Sequence, residues 1–335
     1  MPFPDPTDHL DIDPSAYISP HAVVSGTVSV GVATSAEASG TTELQRQADL
    51  AMYVAKDAGK NSWRRYRSDL HSVVVERLEL RASLNDAAAD GQFVVRYQPM
   101  VDLASTEFVG LEALVRWQHP VRGLLGPDQF IDLAEENGSI VAIGNHVLRE
   151  ALRTFAGWRA TAAGQSLRYV SVNVSARQFR TPGFVDQVRD ALAESGARPE
   201  WLVLEITESL VLRDAEKVWA DLRELRSWGV RIAIDDFGTG YSSLSYLRQM
   251  PVDILKIDKS FIDDILRSEE QLALVEAIVH LARTLKLAVV AEGIEYQEHH
   301  DVLRRLGCPY GQGYLFGKPL DPTDLFGLLA DTAVG

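Results

Sequence analysis

The sequence predicts an α/β fold of the (β/α)8 TIM-barrel type, and three observations carry that expectation. Strand-like apolar segments alternate with helical stretches from about residue 85 to residue 329, the pattern of a sheet built with crossover helices. Eight strand candidates, centred near residues 95, 112, 172, 204, 233, 255, 289 and 314, fall within about 245 residues, the typical size of such a barrel. Six of the apolar segments end in, or carry at their centre, a polar group that a buried strand ordinarily excludes. An open doubly wound sheet is the rival architecture, but no glycine-rich dinucleotide loop supports it.

Taken in order, residues 1–25 are acidic, proline-rich and without periodicity, so no element is expected there. Residues 26–67 read as a small αβ unit. Thr27–Ala33 has strand character, Thr42-Glu-Leu-Gln45 fits a capping box, Leu44, Ala48, Ala51 and Ala55 follow helical spacing, and Gly59 can end that helix. One strand and one helix cannot enclose a core, so this unit reads as a remnant of something larger. Residues 68–89 read as a connecting helix, with Leu70, Val74 and Leu78 on one face, and residues 85–333 as the main domain. Helices are expected over Ile140–Trp158, Ala215–Trp228, Ser268–Leu285 and Gln297–Leu306. Asn173 and Glu205 lie 32 residues apart, Glu205 and Asp235 30, and Lys256 and Glu292 36, near the roughly 31 of a barrel repeat. Asp235 and Lys256 are only 21 apart, so that connection is short.

Composition narrows the function classes. The 335 residues are 46% hydrophobic and 24% charged, as in an ordinary globular protein. No apolar run approaches the roughly 18 residues of a membrane span, and the N-terminus lacks a signal peptide's basic and apolar regions. Cys308 is the single cysteine and fits a reducing, cytoplasmic setting. The net charge of −14 argues against long nucleic acid as a partner. An anionic substrate would have to be held by local cations.

The six segments are Gly110-Leu-Glu112-Ala-Leu-Val-Arg116, Val170-Ser-Val-Asn173-Val-Ser175, Leu202-Val-Leu-Glu205-Ile-Thr207, Arg231-Ile-Ala-Ile-Asp235-Asp236, Asp253-Ile-Leu-Lys256-Ile-Asp258 and Ala288-Val-Val-Ala-Glu292. A buried charge left unpaired costs several kcal/mol, so the set points to one shared site at a barrel mouth. Carboxylates and an amide, without histidine or cysteine, suit hard cations such as Mg²⁺ or Mn²⁺. Adjacent residues on a strand face opposite ways, so Asp235 and Asp236 serve one site only if the chain bends, which Phe237-Gly-Thr-Gly240 allows. Paired carboxylates can then bridge two cations. Lys256 could orient or help deprotonate an attacking water, or stabilise developing charge. Each residue also has a plainer reading: Asn173 as a turn cap, Glu205 paired with an arginine, Lys256 bridged to Asp258 or Asp253, Glu292 at a helix terminus, and His119 as a turn residue. Tyr241–Tyr246 reads either as a lid segment or as a helix start.

The stretch Glu112-Ala113-Leu114 resembles the signature of EAL-domain phosphodiesterases. So do Tyr97-Gln-Pro99, Asn173-Val-Ser-Ala-Arg-Gln-Phe179, Leu204-Glu-Ile-Thr-Glu-Ser209, Asp235-Asp-Phe-Gly-Thr-Gly-Tyr-Ser-Ser-Leu244, Leu255-Lys-Ile-Asp258 and Ala291-Glu-Gly-Ile-Glu295. The resemblance implies a modified barrel with one antiparallel strand and hydrolysis of cyclic di-GMP to linear pGpG. It implies metal ligation by Glu112, Asn173, Glu205, Asp235, Asp236 and Glu292, two Mg²⁺ or Mn²⁺ ions per site, and inhibition by Ca²⁺. Catalytic roles fall to Lys256, Glu112 and Glu292. Gln98, Leu114, Arg116, Glu295 and Gln312 would contact substrate. Glu208 would steady the Asp236–Leu244 loop, with a homodimer contact there. A catalytically weak cyclic di-GMP receptor is the alternative within the family, and an enolase-like barrel the alternative outside it. Residues 26–67 are similar to the closing third of a GGDEF domain, through Ser29-Val-Gly-Val-Ala33, Ala48-Asp49 and Tyr53-Val-Ala-Lys-Asp-Ala-Gly59. The Gly-Gly-Asp-Glu-Phe stretch itself is absent, so no cyclase activity is expected.

Overall fold

A computed structural model of the chain describes residues 29–34, 40–57, 63–212, 215–238 and 247–332. They divide into two units between Glu79 and Leu80. The readings for residues 1–25, Gly59 and Tyr241–Tyr246 lie outside the described residues, as does most of the Asp236–Leu244 loop.

In the N-terminal unit, β1 (Val30–Val32) pairs in parallel with β2 (Trp63–Arg65), and α1 (Thr41–Asp57) intervenes. The sequence reading expected one strand. The second escaped notice because Trp63, Arg64 and Arg65 are all exposed, leaving no alternation to read. Helix α1 starts at Thr41, so Thr42 lies inside it and is not its cap. α2 (Asp69–Ala87) falls within the connecting helix expected over 68–89.

Among the described residues the larger unit contributes nine strands: β3 (Phe93–Asp102), β4 (Phe108–His119), β5 (Gly123–Leu125), β6 (Tyr169–Asn173), β7 (Leu202–Thr207), β8 (Arg231–Phe237), β9 (Ile254–Ile257), β10 (Ala288–Ala291) and β11 (Tyr310–Gln312). Their order is β3-β11-β10-β9-β8-β7-β6-β4, and a β3–β4 pairing closes the ring of eight, with β5 appended to the edge of β4. Six pairings are parallel, whereas β3 runs antiparallel to both β4 and β11. The barrel expectation holds, including its one reversed strand. The last strand ends at Gln312, short of the centre expected near 314, because the chain turns there, with Phe316 N–H donating to Gly313.

Helices cover the outside. α3 (Ile131–Asn137), α4 (Ile140–Arg159), α5 (Ala176–Arg180), α6 (Phe184–Ser195), α7 (Glu208–Leu212), α8 (Ala215–Ser227), α9 (Lys259–Asp263), α10 (Glu269–Thr284), α11 (Gln297–Arg305) and α12 (Pro322–Thr332) follow in chain order. α4 buries Ile140, Ile143, Val147, Leu148, Ala151, Leu152, Phe155 and Trp158 at helical spacing. Ser268 accepts from Gln271 N–H and caps α10. No helix among the described residues is long and apolar enough to cross a membrane.

The two-residue period of the strands sorts the side chains. Leu202, Leu204, Ile206, Ile232, Ile234, Leu255, Val289 and Ala291 face the helices and join the main core. The alternate residues Met100, Tyr169, Val203, Ala233, Ile254 and Val290 form a separate apolar cluster that fills the barrel interior. Two residues further along β7, β8, β9 and β10, the same face carries Glu205, Asp235, Lys256 and Glu292. On the reversed β3 the order inverts, and Gln98 precedes Met100 by two. The polar tier therefore lies directly above the apolar one.

Close approach requires glycine at several positions, among them Gly110 on β4 and Gly313 just after β11. A Cβ at Gly110 would lie 2.7 Å from the Tyr169 ring. One at Gly313 would lie 2.1 Å from the Ile294 carbonyl oxygen, which is backbone and cannot rotate away. Gly313→Ala is expected to destabilise the fold by about 1–3 kcal/mol, read as a lowered midpoint in chemical denaturation.

Candidate active site

The polar tier surrounds one ammonium group. Lys256 is 1% exposed, and its Nζ lies 2.5 Å from Glu292, 2.7 Å from Glu205, 3.2 Å from Asp235 and 3.7 Å from Glu112. Burial alone would lower the lysine pKa, but Asp235, Glu112, Glu205 and Glu292 together raise it well above its usual value, so it is charged. Its plainer reading is overturned: Asp253 pairs with Arg226, and Asp258 caps α9. Glu205 likewise pairs with this lysine and not with an arginine.

The carboxylates differ among themselves. Burial, and then Glu112, push Glu205 well above the ordinary carboxylate range despite Lys256. Burial pushes Glu292 up to about 8. For Glu112, burial is outweighed by Lys256 and by hydrogen bonds from Gln312 and Asn173, which hold its pKa below the usual value. Asn173 Nδ2 donates to Glu112 Oε1 at 2.7 Å, so it acts here as a side-chain donor to the site.

The β8–β9 pairing shifts register between Ile234 and Phe237, at Asp235 and Asp236; Asp235 lines the cavity over the tier, whereas Asp236 is exposed and lines neither cavity. Asp236 takes φ +53, a left-handed conformation that aspartate tolerates better than most residues. The irregularity comes at the strand end, as the glycines after Phe237 suggested. Burial, then Asp235, raise the Asp236 pKa.

A cavity of about 320 Å³ opens over this tier, lined by Gln98, Glu112, Leu114, Asp235, Lys256, Glu292, Glu295, Gln312 and Tyr314, among others. Glu295 is held by Lys259 at 2.9 Å, and Lys259 also binds Asp263. Lys259 was missed in the sequence, although it directly follows Leu255-Lys-Ile-Asp258. A second cavity of about 350 Å³, mostly apolar, shares Leu114 and reaches Pro127, Ile131, Glu135, Ile143 and Val147. Arg116 lines neither cavity; it is half-buried and donates to the Val115 carbonyl. Glu208 also lies off both, 7% exposed with neither carboxylate oxygen hydrogen-bonded. His119 has the structural role expected of it, accepting from the Val121 and Arg122 amides in the turn before β5.

Among the described residues, no three carboxylate, imidazole or thiol groups stand as they are in an arrangement that could hold a metal ion. Lys256 occupies the middle. The donors nevertheless fit a hard divalent cation, being oxygens throughout. Gln312 Oε1 is buried there without a hydrogen bond, and Asp235 Oδ1 has the Lys256 ammonium 3.2 Å away.

A closed barrel with one reversed strand and an acidic tier at its mouth defines a class, and the chain belongs to it: residues 81–319 match the family described as EAL domain. Particular relatives are similar over most of this chain. The bifunctional diguanylate cyclase/cyclic di-GMP phosphodiesterase MucR of Pseudomonas aeruginosa is 44% identical over 288 residues, 86% of this chain and 42% of MucR. The cyclic di-GMP phosphodiesterase NbdA of the same organism is 42% identical over 83% of this chain and 35% of NbdA. The chain thus spans less than half the length of these relatives. A solved structure described as PaMucR phosphodiesterase in complex with c-di-GMP is 44% identical, covers 74% of this chain and 99% of the other, and superposes with a TM-score of 0.71.

Proposed function

We propose that this chain is a cytoplasmic, divalent-metal-dependent phosphodiesterase that hydrolyses cyclic di-GMP to linear pGpG. The observation that carries the reading is the convergence of Glu112, Glu205, Asp235 and Glu292 on Lys256 beneath an open cavity. The shape supports it: two cavities meeting at Leu114, one with exposed Tyr314 and one largely apolar, suit a ligand with two flat bases on either side of its phosphates.

Glu112, Asn173, Glu205, Asp235, Asp236 and Glu292 would hold two Mg²⁺ or Mn²⁺ ions. Bound there, such ions supply Lewis acidity toward a phosphoryl oxygen and toward water. Lys256 orients the attacking water and takes up developing charge as Glu112 and Glu292 hold their positions. One oxygen–phosphorus bond forms from water, one ester bond breaks, and the leaving oxygen takes a proton, so that one water opens the ring. Leu114 packs against a base, and Glu295, held by Lys259, accepts from a base edge; Arg116 would balance phosphate charge by turning from the Val115 carbonyl toward the cavity. Glu208, buried and unbonded, would secure the Asp236–Leu244 loop, where two copies of the chain meet. Ca²⁺ is expected to inhibit, being larger and less demanding in geometry than Mg²⁺.

The test is incubation of purified protein with cyclic di-GMP and Mg²⁺, Mn²⁺ or Ca²⁺, with products separated by chromatography. Linear dinucleotide formed only with Mg²⁺ or Mn²⁺ is expected. Tight nucleotide binding without turnover in any metal would make the chain a receptor instead.

Titration adds a second expectation. Glu292, at about 8, carries a proton near neutrality in the metal-free protein. That proton must leave before an ion is held, so Mn²⁺ affinity should rise with pH up to about 8. The folded pKa lies above the unfolded one, so the proton's stabilising contribution is complete below the unfolded value and is lost as pH rises through about 8. Melting temperature of the metal-free protein should therefore fall across that window, and saturating Mn²⁺ should reverse the fall.

A further inference from the structure

We propose that Gln98 and Gln312 are positioning residues that act in series to orient the Glu112 carboxylate. The inference rests on the phosphodiesterase reading only in taking Glu112 as a metal ligand.

The reversed strand creates the arrangement. β3 closes the barrel between β11 and β4, so Gln98 stands in register with Glu112 across one seam, and Met100 with Gln312 across the other. Gln98, Gln312 and Glu112 are 8%, 4% and 6% exposed. Gln312 Nε2 donates to Glu112 Oε2 at 2.7 Å and to Gln98 Oε1 at 2.9 Å. Gln98 Nε2 donates in turn to the Gly317 carbonyl at 3.1 Å.

That last bond gives the series its direction. With its nitrogen on a backbone carbonyl, Gln98 presents oxygen to Gln312, and Gln312 must present nitrogen to both neighbours. The opposite orientation would set the Gln312 carbonyl against a carboxylate. Both Gln312 amide protons are thereby committed within the protein. The only polar atom it has left is Oε1, an acceptor without a partner, and a phosphate oxygen cannot be held by an acceptor. Asn173 fixes the other oxygen of Glu112 at 2.7 Å. Held from both sides, Glu112 stands 3.7 Å from Lys256, farther than the 2.5 Å of Glu292 or the 2.7 Å of Glu205. Hydrogen-bond partners of this kind commonly set ligand orientation and alter metal affinity about 10–100-fold.

The experiment measures Mn²⁺ binding to purified protein without nucleotide, by calorimetric titration, for the wild type, Gln312→Leu, Gln98→Leu and the double variant. KM and kcat at saturating Mn²⁺ are measured in parallel. Gln312→Leu is expected to weaken Mn²⁺ binding about tenfold or more, and Gln98→Leu by a smaller factor. Because the two act in series, the double variant should bind no more weakly than Gln312→Leu alone. KM should stay near that of the wild type. Mn²⁺ affinity within about twofold of wild type in both single variants would overturn the proposal, and a raised KM alongside it would return both amides to the substrate. If Gln312→Leu does not fold, Gln98→Leu decides by the same criterion. A wild type that hydrolyses the dinucleotide beside variants with unchanged Mn²⁺ affinity sinks this inference alone. A wild type that neither binds Mn²⁺ nor turns over sinks the phosphodiesterase reading with it.

Discussion

Lys256→Met is expected to lower the melting temperature of the metal-free protein by roughly 10 °C, and to cut turnover by about 10²–10⁴-fold. Methionine keeps much of the volume, so the loss isolates the charge. Lys256 Nζ is the cation shared by Glu112, Glu205, Asp235 and Glu292 within 4.0 Å. Removing one partner of a buried ion cluster typically costs about 3–5 kcal/mol. In a domain of this size each kcal/mol moves the melting temperature by about 2–4 °C. The deficit should shrink at acid pH, where the carboxylates take protons, and saturating Mn²⁺ should recover part of it by supplying the missing positive charge. Calorimetry of the metal-free variant at two pH values, with and without Mn²⁺, reads all three effects. A melting temperature equal to or above that of the wild type would mean that the acidic tier does not depend on the lysine.

Glu205→Gln separates stability from function in the opposite sense. Burial, and then Glu112, raise the Glu205 pKa well above the ordinary carboxylate range, which favours the uncharged form, and glutamine is close in shape to a neutral glutamic acid. Its amide oxygen can still accept from Lys256, which donates to Glu205 at 2.7 Å. Metal-free stability at neutral pH should therefore stay within about 1 kcal/mol of the wild type. Turnover should fall about a thousandfold or more, because a glutamine cannot release a proton to become an anionic ligand. Glu112→Ala should lose turnover similarly. Denaturant unfolding and product chromatography on the same preparation check both halves. A Glu205→Gln protein that kept full activity would remove Glu205 from the ligand set.

Much of the fold was legible because it is written in local periodicity. Strand-like apolar segments alternating with helical stretches identified the barrel staves, and the expected helices over Ile140–Trp158, Ala215–Trp228, Ser268–Leu285 and Gln297–Leu306 end within a residue or so of those observed. β2 was not legible, since exposed Trp63–Arg65 has no buried face to betray it. The eighth strand was placed too far along because Tyr314 and Leu315 look like strand residues, but the chain turns at Gly313. At the site, the sequence named Lys256 yet offered Asp253 and Asp258 as its partners, the nearest acids along the chain. It marked Gln98 and Gln312 but could not say that they bond to each other. Lys259 carried no signal apart from following a motif.

Chain order alone determined which residues are polar in otherwise apolar strands, and hence the barrel class and the membership of its acidic tier. Tertiary structure decided the pairing. Glu205 is 51 residues from Lys256, and Gln98 is 214 from Gln312. Coulomb and hydrogen-bond energies depend on separation in space. Only closure of the barrel, with β3 reversed at the seam, brought those atoms within reach of one another.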